Sequence, residues 1–391
     1  MIGAGIFSAA GPASAAAGGA LLIAVIIAGL LALVNASTMA QLASVYPESG
    51  GTYIYGRKRL GDYWGFLAGW GFVIGKIASC SAMALTFAHY AAPELARPIA
   101  ITSVLTLTLV NFFGIKKTAL VTKILVSIVL STLAIVVFAA IAGGDAEPSR
   151  LWQPPDEIGF FGILQAAGLM FFAFAGYARI ATLGEEVMDP KNTIPKAILT
   201  ALGTTIIIYL IVISTAMMCV DIKTLSQATA PLVLAVESGH FAWLSPLVRI
   251  GACCAALGVL LSLLAGVSRT IFAMAANNDL PKFLSTVHPV HKVPHIAELV
   301  VGIVVALIVS IADVRTSIGF SSFAVLTYYA IANAAAWTLS PNQRLWPKWL
   351  CGCGFIFCTV IALSLPYASV IGGVALFALG SLYFFSRKWS S

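Results

Sequence analysis

What most constrains this chain is the length of its apolar runs. Eleven of them approach or exceed the roughly 20 residues that a helix needs to cross a bilayer: Gly19–Ala43, Tyr63–Ala91, Arg97–Phe113, Lys123–Ala142, Phe160–Leu183, Lys196–Val220, Trp243–Ala275, Ile296–Ile311, Ile318–Thr338, Trp349–Leu365 and Tyr367–Phe385. Met1–Ala16 is a twelfth, shorter run. Membrane barrel strands alternate over about 10 residues, and these runs are too long and too uniformly apolar for that. Only 9% of the residues are charged and 60% are hydrophobic, against about 25% charged in an ordinary soluble domain. A soluble fold of this composition would expose large apolar patches. The expectation is a single-domain, all-α integral membrane protein of about twelve transmembrane helices.

Charge supplies the orientation. Of the 22 Lys and Arg residues, sixteen fall in the connections and ends on the side that holds both termini, five on the other side, and Lys76 within a helix. Basic residues collect on the cytoplasmic side, so both termini are expected in the cytoplasm, with the chain in a plasma membrane. The net charge of +7 then reads as topology rather than nucleic-acid binding. The seven cysteines fall in or beside apolar runs, none in a long external connection where a disulfide would form. His288, His291 and His295 lie in H-P-V-H-K-V-P-H, where the prolines keep them off one helical face, and no metal site is expected. H-E-x-x-H, G-x-S-x-G and P-loop motifs are missing from the sequence. The chain is therefore read as no enzyme, with no cofactor and with an energy source other than ATP.

Two segments break the helical pattern. One is Gly3-Ala4-Gly5-Ile6-Phe7 followed by Gly11-Pro12, and the other is Phe172-Ala173-Phe174-Ala175-Gly176-Tyr177. They head the first and sixth helices. Five helices separate them, so two halves starting there would have opposite topology, the arrangement of an inverted-repeat transporter. Unwinding at the midplane frees N–H and C=O groups, which is costly unless they line a cavity and bind something. Freed N–H groups at a helix N-terminus suit a carboxylate, and freed carbonyls suit an ammonium group. A site with both suits a zwitterion.

Four motifs in this order, Gly3–Phe7 with Gly11-Pro12, P-E-S-G-G-T-Y-I-Y at Pro47–Tyr55, Phe171–Tyr177 running into A-T-L-G-E-E-V-M-D-P-K-N-T-I-P-K-A-I at Ala181–Ile198, and S-R-T-I-F-A-M-A-A-N-N-D-L-P at Ser268–Pro281, resemble the amino acid–polyamine–organocation superfamily of transporters over nearly the whole chain. The resemblance implies a five-plus-five inverted repeat with broken helices 1 and 6 and two further C-terminal helices: residues 1–142, 156–340 and 348–386. It implies that the amides around Gly3, Ala4 and Gly5 hold a substrate carboxylate. The carbonyls of Phe172 and Ala175, beside Gly176, would hold the amino group, with Phe174 or Tyr177 as an aromatic gate. Glu185 and Glu186 would act in conformational gating at the cytoplasmic mouth. The family has about one more half-helix before its first break, which points to a longer native chain than one starting at Met1. The cationic branch carries acids where this chain has Gly75 and Ala178, next to Lys76 and Arg179, so a neutral amino acid is the expected substrate.

Lys76 lies fourteen residues after Asp62, about 20 Å along a helix, which places it deep in the bilayer. An intramembrane lysine is a functional candidate by default. It would carry a transported proton, stand in for a bound cation, or hydrogen-bond for structure. Arg179 would pair with Glu185 or Glu186, or meet the substrate carboxylate. The reading is a secondary transporter moving an amino acid across the bilayer, with a proton or a counter-transported amino acid as the coupled partner. A cationic amino acid or polyamine carrier is the nearest alternative, and an ion channel the alternative of another class.

Overall fold

The computed structural model describes residues 2–48, 50–114, 119–143, 146–152, 159–177 and 189–390. Met1, Arg179, Glu185 and Glu186 lie outside them. The described residues are helical almost throughout: α1 (Gly5–Ala17), α2 (Leu21–Val45), α3 (Thr52–Leu60), α4 (Asp62–Ala91), α5 (Ala96–Phe112), α6 (Ala119–Ala142), α7 (Phe160–Phe174), α8 (Pro190–Cys219), α9 (Ile222–Gln227), α10 (Pro231–Glu237), α11 (Ser245–Ala276), α12 (His295–Ile311), α13 (Val314–Trp337), α14 (Lys348–Leu363) and α15 (Tyr367–Ser390). Among the described residues, eight apolar stretches are long enough to cross a membrane. One of them, Gly5–Val45, holds both α1 and α2, and three shorter apolar helices add α7, α12 and α14. Twelve apolar helices result among the described residues, at the places where the sequence puts them.

Helix ends follow local chemistry. Gly18 closes α1 at φ 51°, a left-handed conformation that residues with a Cβ avoid, and the chain turns there into α2. The stretch between α2 and α4 contains the nine-residue α3. Between α8 and α11 lie the two short helices α9 and α10. Their Leu225, Leu232 and Val236 are fully buried, and both helices pack against α1.

The packing has two-fold character. Helices in matching positions of the two halves touch: α1 on α7, α2 on α8, α4 on α11, and α5 on α12. The fifth helix of each half also packs on the third of the other, α6 on α11 and α13 on α4. Such reciprocity is what a two-fold relation between two five-helix halves produces. The most apolar windows of α4 and α13 are 78% buried, against 22% for α15. Helices α4 and α13 therefore form the centre, and the C-terminal α14 and α15 lie against α13 from outside.

Candidate substrate site at two helix ends

α1 starts at Gly5, with Ala4 as its N-cap and no side chain capping it. A helix N-terminus leaves its first amides without intrahelical acceptors, and these carry the positive end of the dipole. α7 stops at Phe174, and Ala175 leaves the helix at φ −69°, ψ 16°. Gly176 N–H turns back to the Phe174 carbonyl at 2.8 Å. The two ends are in contact, because a Cβ built on Gly5 would sit 2.6 Å from the Ala173 Cα. An electropositive backbone end and an electronegative one thus lie side by side, and glycine at position 5 is what lets them.

The surrounding side chains fix these ends. The Tyr209 hydroxyl on α8 donates to the Ala173 carbonyl at 3.2 Å, and its ring lies 5.0 Å from that of Phe174. From α4, Tyr90 donates to the Phe7 carbonyl at 2.8 Å, and Ser8 Oγ reaches the Ala4 and Gly5 carbonyls at 3.4 and 3.3 Å. Beyond the break, Tyr177 is buried and stacks on Tyr329 of α13 at 5.3 Å, which contacts Tyr328 at 4.5 Å. The hydroxyls of Tyr177, Tyr328 and Tyr329 are buried without a hydrogen bond among the described residues.

The structure thus gathers Ala4, Gly5, Phe174 and Ala175 at one junction, with Gly3 half-buried just before it and Phe172 half-buried one turn back. Gly176 is exposed at the break. Lys76 lies on α4, where the adjacent Gly75 packs against Ala324 and the Ser321 carbonyl of α13. It is 7% exposed. Sequence reasoning did not single out Tyr209, Tyr90 or Tyr329. Isolated tyrosines in apolar helices were the available signal, since a buried phenol ordinarily finds a partner.

The amino acid permease family model matches residues 1–388. An uncharacterized transporter of Mycobacterium tuberculosis is 52% identical over 97% of this chain and 86% of its own length. The branched-chain amino acid permease of Bacillus subtilis is 28% identical over 100% of this chain and 90% of its own. Cationic amino acid transporter 7 of Arabidopsis thaliana is 27% identical over 85% of this chain and 62% of its own.

Proposed function

The chain belongs to the amino acid permease family, and on that premise we propose that it moves a neutral amino acid across a plasma membrane by alternating access, coupled to protons through Lys76. The substrate carboxylate takes the amides of Ala4 and Gly5, and its ammonium takes the carbonyls of Phe172 and Ala175. The observation that carries this reading is the meeting of the uncapped α1 N-terminus with the α7 C-terminus across Gly5 and Ala173. Opposite partial charges side by side fit a zwitterion better than a single ion.

Two further observations support the finer parts. The resemblance to a branched-chain amino acid permease favours a neutral side chain. So does the cation of Lys76 beside Gly75, where the cationic branch of the resemblance has an acid. Lys76 is buried in a spanning helix, and no ion pair or hydrogen bond holds its amine among the described residues. A buried amine without a counter-charge can release a proton and take it up again. The basic residues concentrated on one side favour both termini in the cytoplasm.

The test is uptake of a panel of radiolabelled amino acids into proteoliposomes, with and without an inward proton gradient. Saturable, stereoselective uptake of a neutral amino acid that the gradient concentrates supports the reading. Preferential uptake of arginine or lysine would move the substrate to the cationic class, and gradient-independent counterflow would make the protein an exchanger.

A further inference from the structure

Three histidines between α11 and α12 form a cluster that transport as described above does not use. His288 organises the turn. Its backbone N–H donates to the Val293 carbonyl at 2.9 Å, and its carbonyl accepts from Lys292 N–H at 3.0 Å. Its Nδ1 accepts two more amides, those of Val290 and His291, each at 3.2 Å. A nitrogen that accepts cannot carry a proton, so this ring is neutral with its hydrogen on Nε2. Around it lie the rings of His291 at 4.6 Å and His295 at 5.2 Å. All three pack on Phe112 at the end of α5, at 5.6, 6.2 and 6.0 Å. His295 opens α12, and its Nδ1 is buried without a partner among the described residues.

The wider electrostatics point the same way. The charged groups on the elements around the cluster are Arg97 on α5, Arg249 and Arg269 on α11, Asp279 and Lys282 in the connection after it, Lys292 within the loop, and Glu298 on α12. Glu298 is committed to the Ser268 hydroxyl. No ion pair joins a carboxylate to any of the three imidazoles among the described residues. With Asp279 likewise engaged, by Arg57 and Arg387, these mostly basic surroundings make a poor setting for a further positive charge. Desolvation, then the neighbouring His291 and His295, hold the His288 imidazole below the ordinary histidine range.

We propose that His288 is a proton sensor: acidification on its side of the membrane protonates Nδ1, opens the 288–295 turn and slows transport. Protonation turns an acceptor of two N–H groups into a third donor facing them, and adds charge beside two further imidazoles. The turn connects α11 to α12 and covers the end of α5, so its opening loosens the corner where these three helices meet. The sign follows from linkage. The closed turn binds the proton less tightly than an open chain does, so its stability is present above the ordinary histidine value of about 6.5 and is lost as pH falls below it.

Hydrogen exchange of the full chain in lipid nanodiscs tests this without reference to substrate or orientation. The informative variant is His288→Asn, whose Oδ1 takes the place of Nδ1 as a turn acceptor and does not titrate. After correction for intrinsic rates, the 288–295 amides of the wild type should lose protection by up to about tenfold per pH unit below 6.5, and those of His288→Asn should stay protected. A flat wild-type profile, or the same pH response in His288→Asn, would overturn the proposal. Uptake at equal pH on both faces should fall with acidification in the wild type and not in His288→Asn. Equal inhibition of both would also overturn it. Lack of uptake at every pH would count against the transport reading, which the exchange data do not depend on.

Discussion

Gly5 and Ala173 touch so closely that a methyl group on Gly5 would lie 2.6 Å from the Ala173 Cα and 3.0 Å from its Cβ. Both belong to backbone at helix ends, and Tyr209 holds the Ala173 carbonyl from behind, so neither can yield as a flexible side chain would. Gly5→Ala is expected to separate the two ends, at a cost of about 1–3 kcal/mol for overpacking. Because the binding groups are the ends themselves, uptake should fall more than stability does. Measuring initial uptake rates beside the melting temperature of purified protein separates the two effects. Full activity with an unchanged melt would show that the junction is not the site.

Lys76→Met keeps the length and volume of the side chain and removes the amine. Replacing an uncompensated buried charge by an apolar group is neutral or stabilising, so the melting temperature should hold or rise. Substrate counterflow should persist while concentration by a proton gradient disappears. A variant that still concentrates substrate with the gradient would remove Lys76 from coupling and leave it a structural residue.

Asp279, 1% exposed, gathers Tyr53 at 2.6 Å, Arg57 at 2.7 Å and Arg387 at 2.8 Å. These come from α3 and α15, so one carboxylate ties both to the end of α11. Asp279→Asn removes the charge and one of the two acceptor oxygens shared by the guanidiniums, while Arg57 keeps Asp62 and Arg387 keeps the Asn278 carbonyl. Both guanidiniums are partly exposed, at 25% and 32%, so solvent softens the loss to about 1–3 kcal/mol, with Arg387→Ala milder. Burial, and then the bond to Asp279, push the Tyr53 phenol above its ordinary value. A raised folded value means stability present below about pH 10 and lost as pH rises beyond it. Alkaline melts should show that loss in the wild type and a smaller one in Tyr53→Phe.

Different physics decided what the sequence disclosed. Spanning helices were legible because run length and hydropathy leave few other solutions, and the α1 start at Gly5 and the α7 end at Phe174 because Gly3, Gly5 and Gly176 punctuate apolar runs. Arg57, Arg387 and Asp279 were not legible as a group: they lie 222 and 108 residues apart, and single charges at loop edges look alike until the fold assembles them. Histidines spaced by prolines share no helical face, and only the turn built around His288 brings their rings together.

A polar ladder inside the bundle supplies the last test. Asn333 on α13 donates to Asn35 Oδ1 on α2 at 2.7 Å and to the Tyr329 carbonyl at 2.9 Å, and accepts from Thr38 at 2.8 Å. Gly354 of α14 lies against this amide, and a Cβ there would come within 2.3 Å of Asn333 Oδ1. Gly354→Ala must displace the amide, because both of its ends are engaged. That breaks interhelical bonds worth about 0.6 kcal/mol each on average in lipid and strands buried polar groups at about 1–3 kcal/mol. Asn333→Ala vacates the space the new methyl group needs. The double variant Gly354→Ala/Asn333→Ala should therefore melt above the sum of the two single losses, a coupling that independent sites do not show. Strict additivity in the melting data would mean that α14 and the ladder do not press on each other.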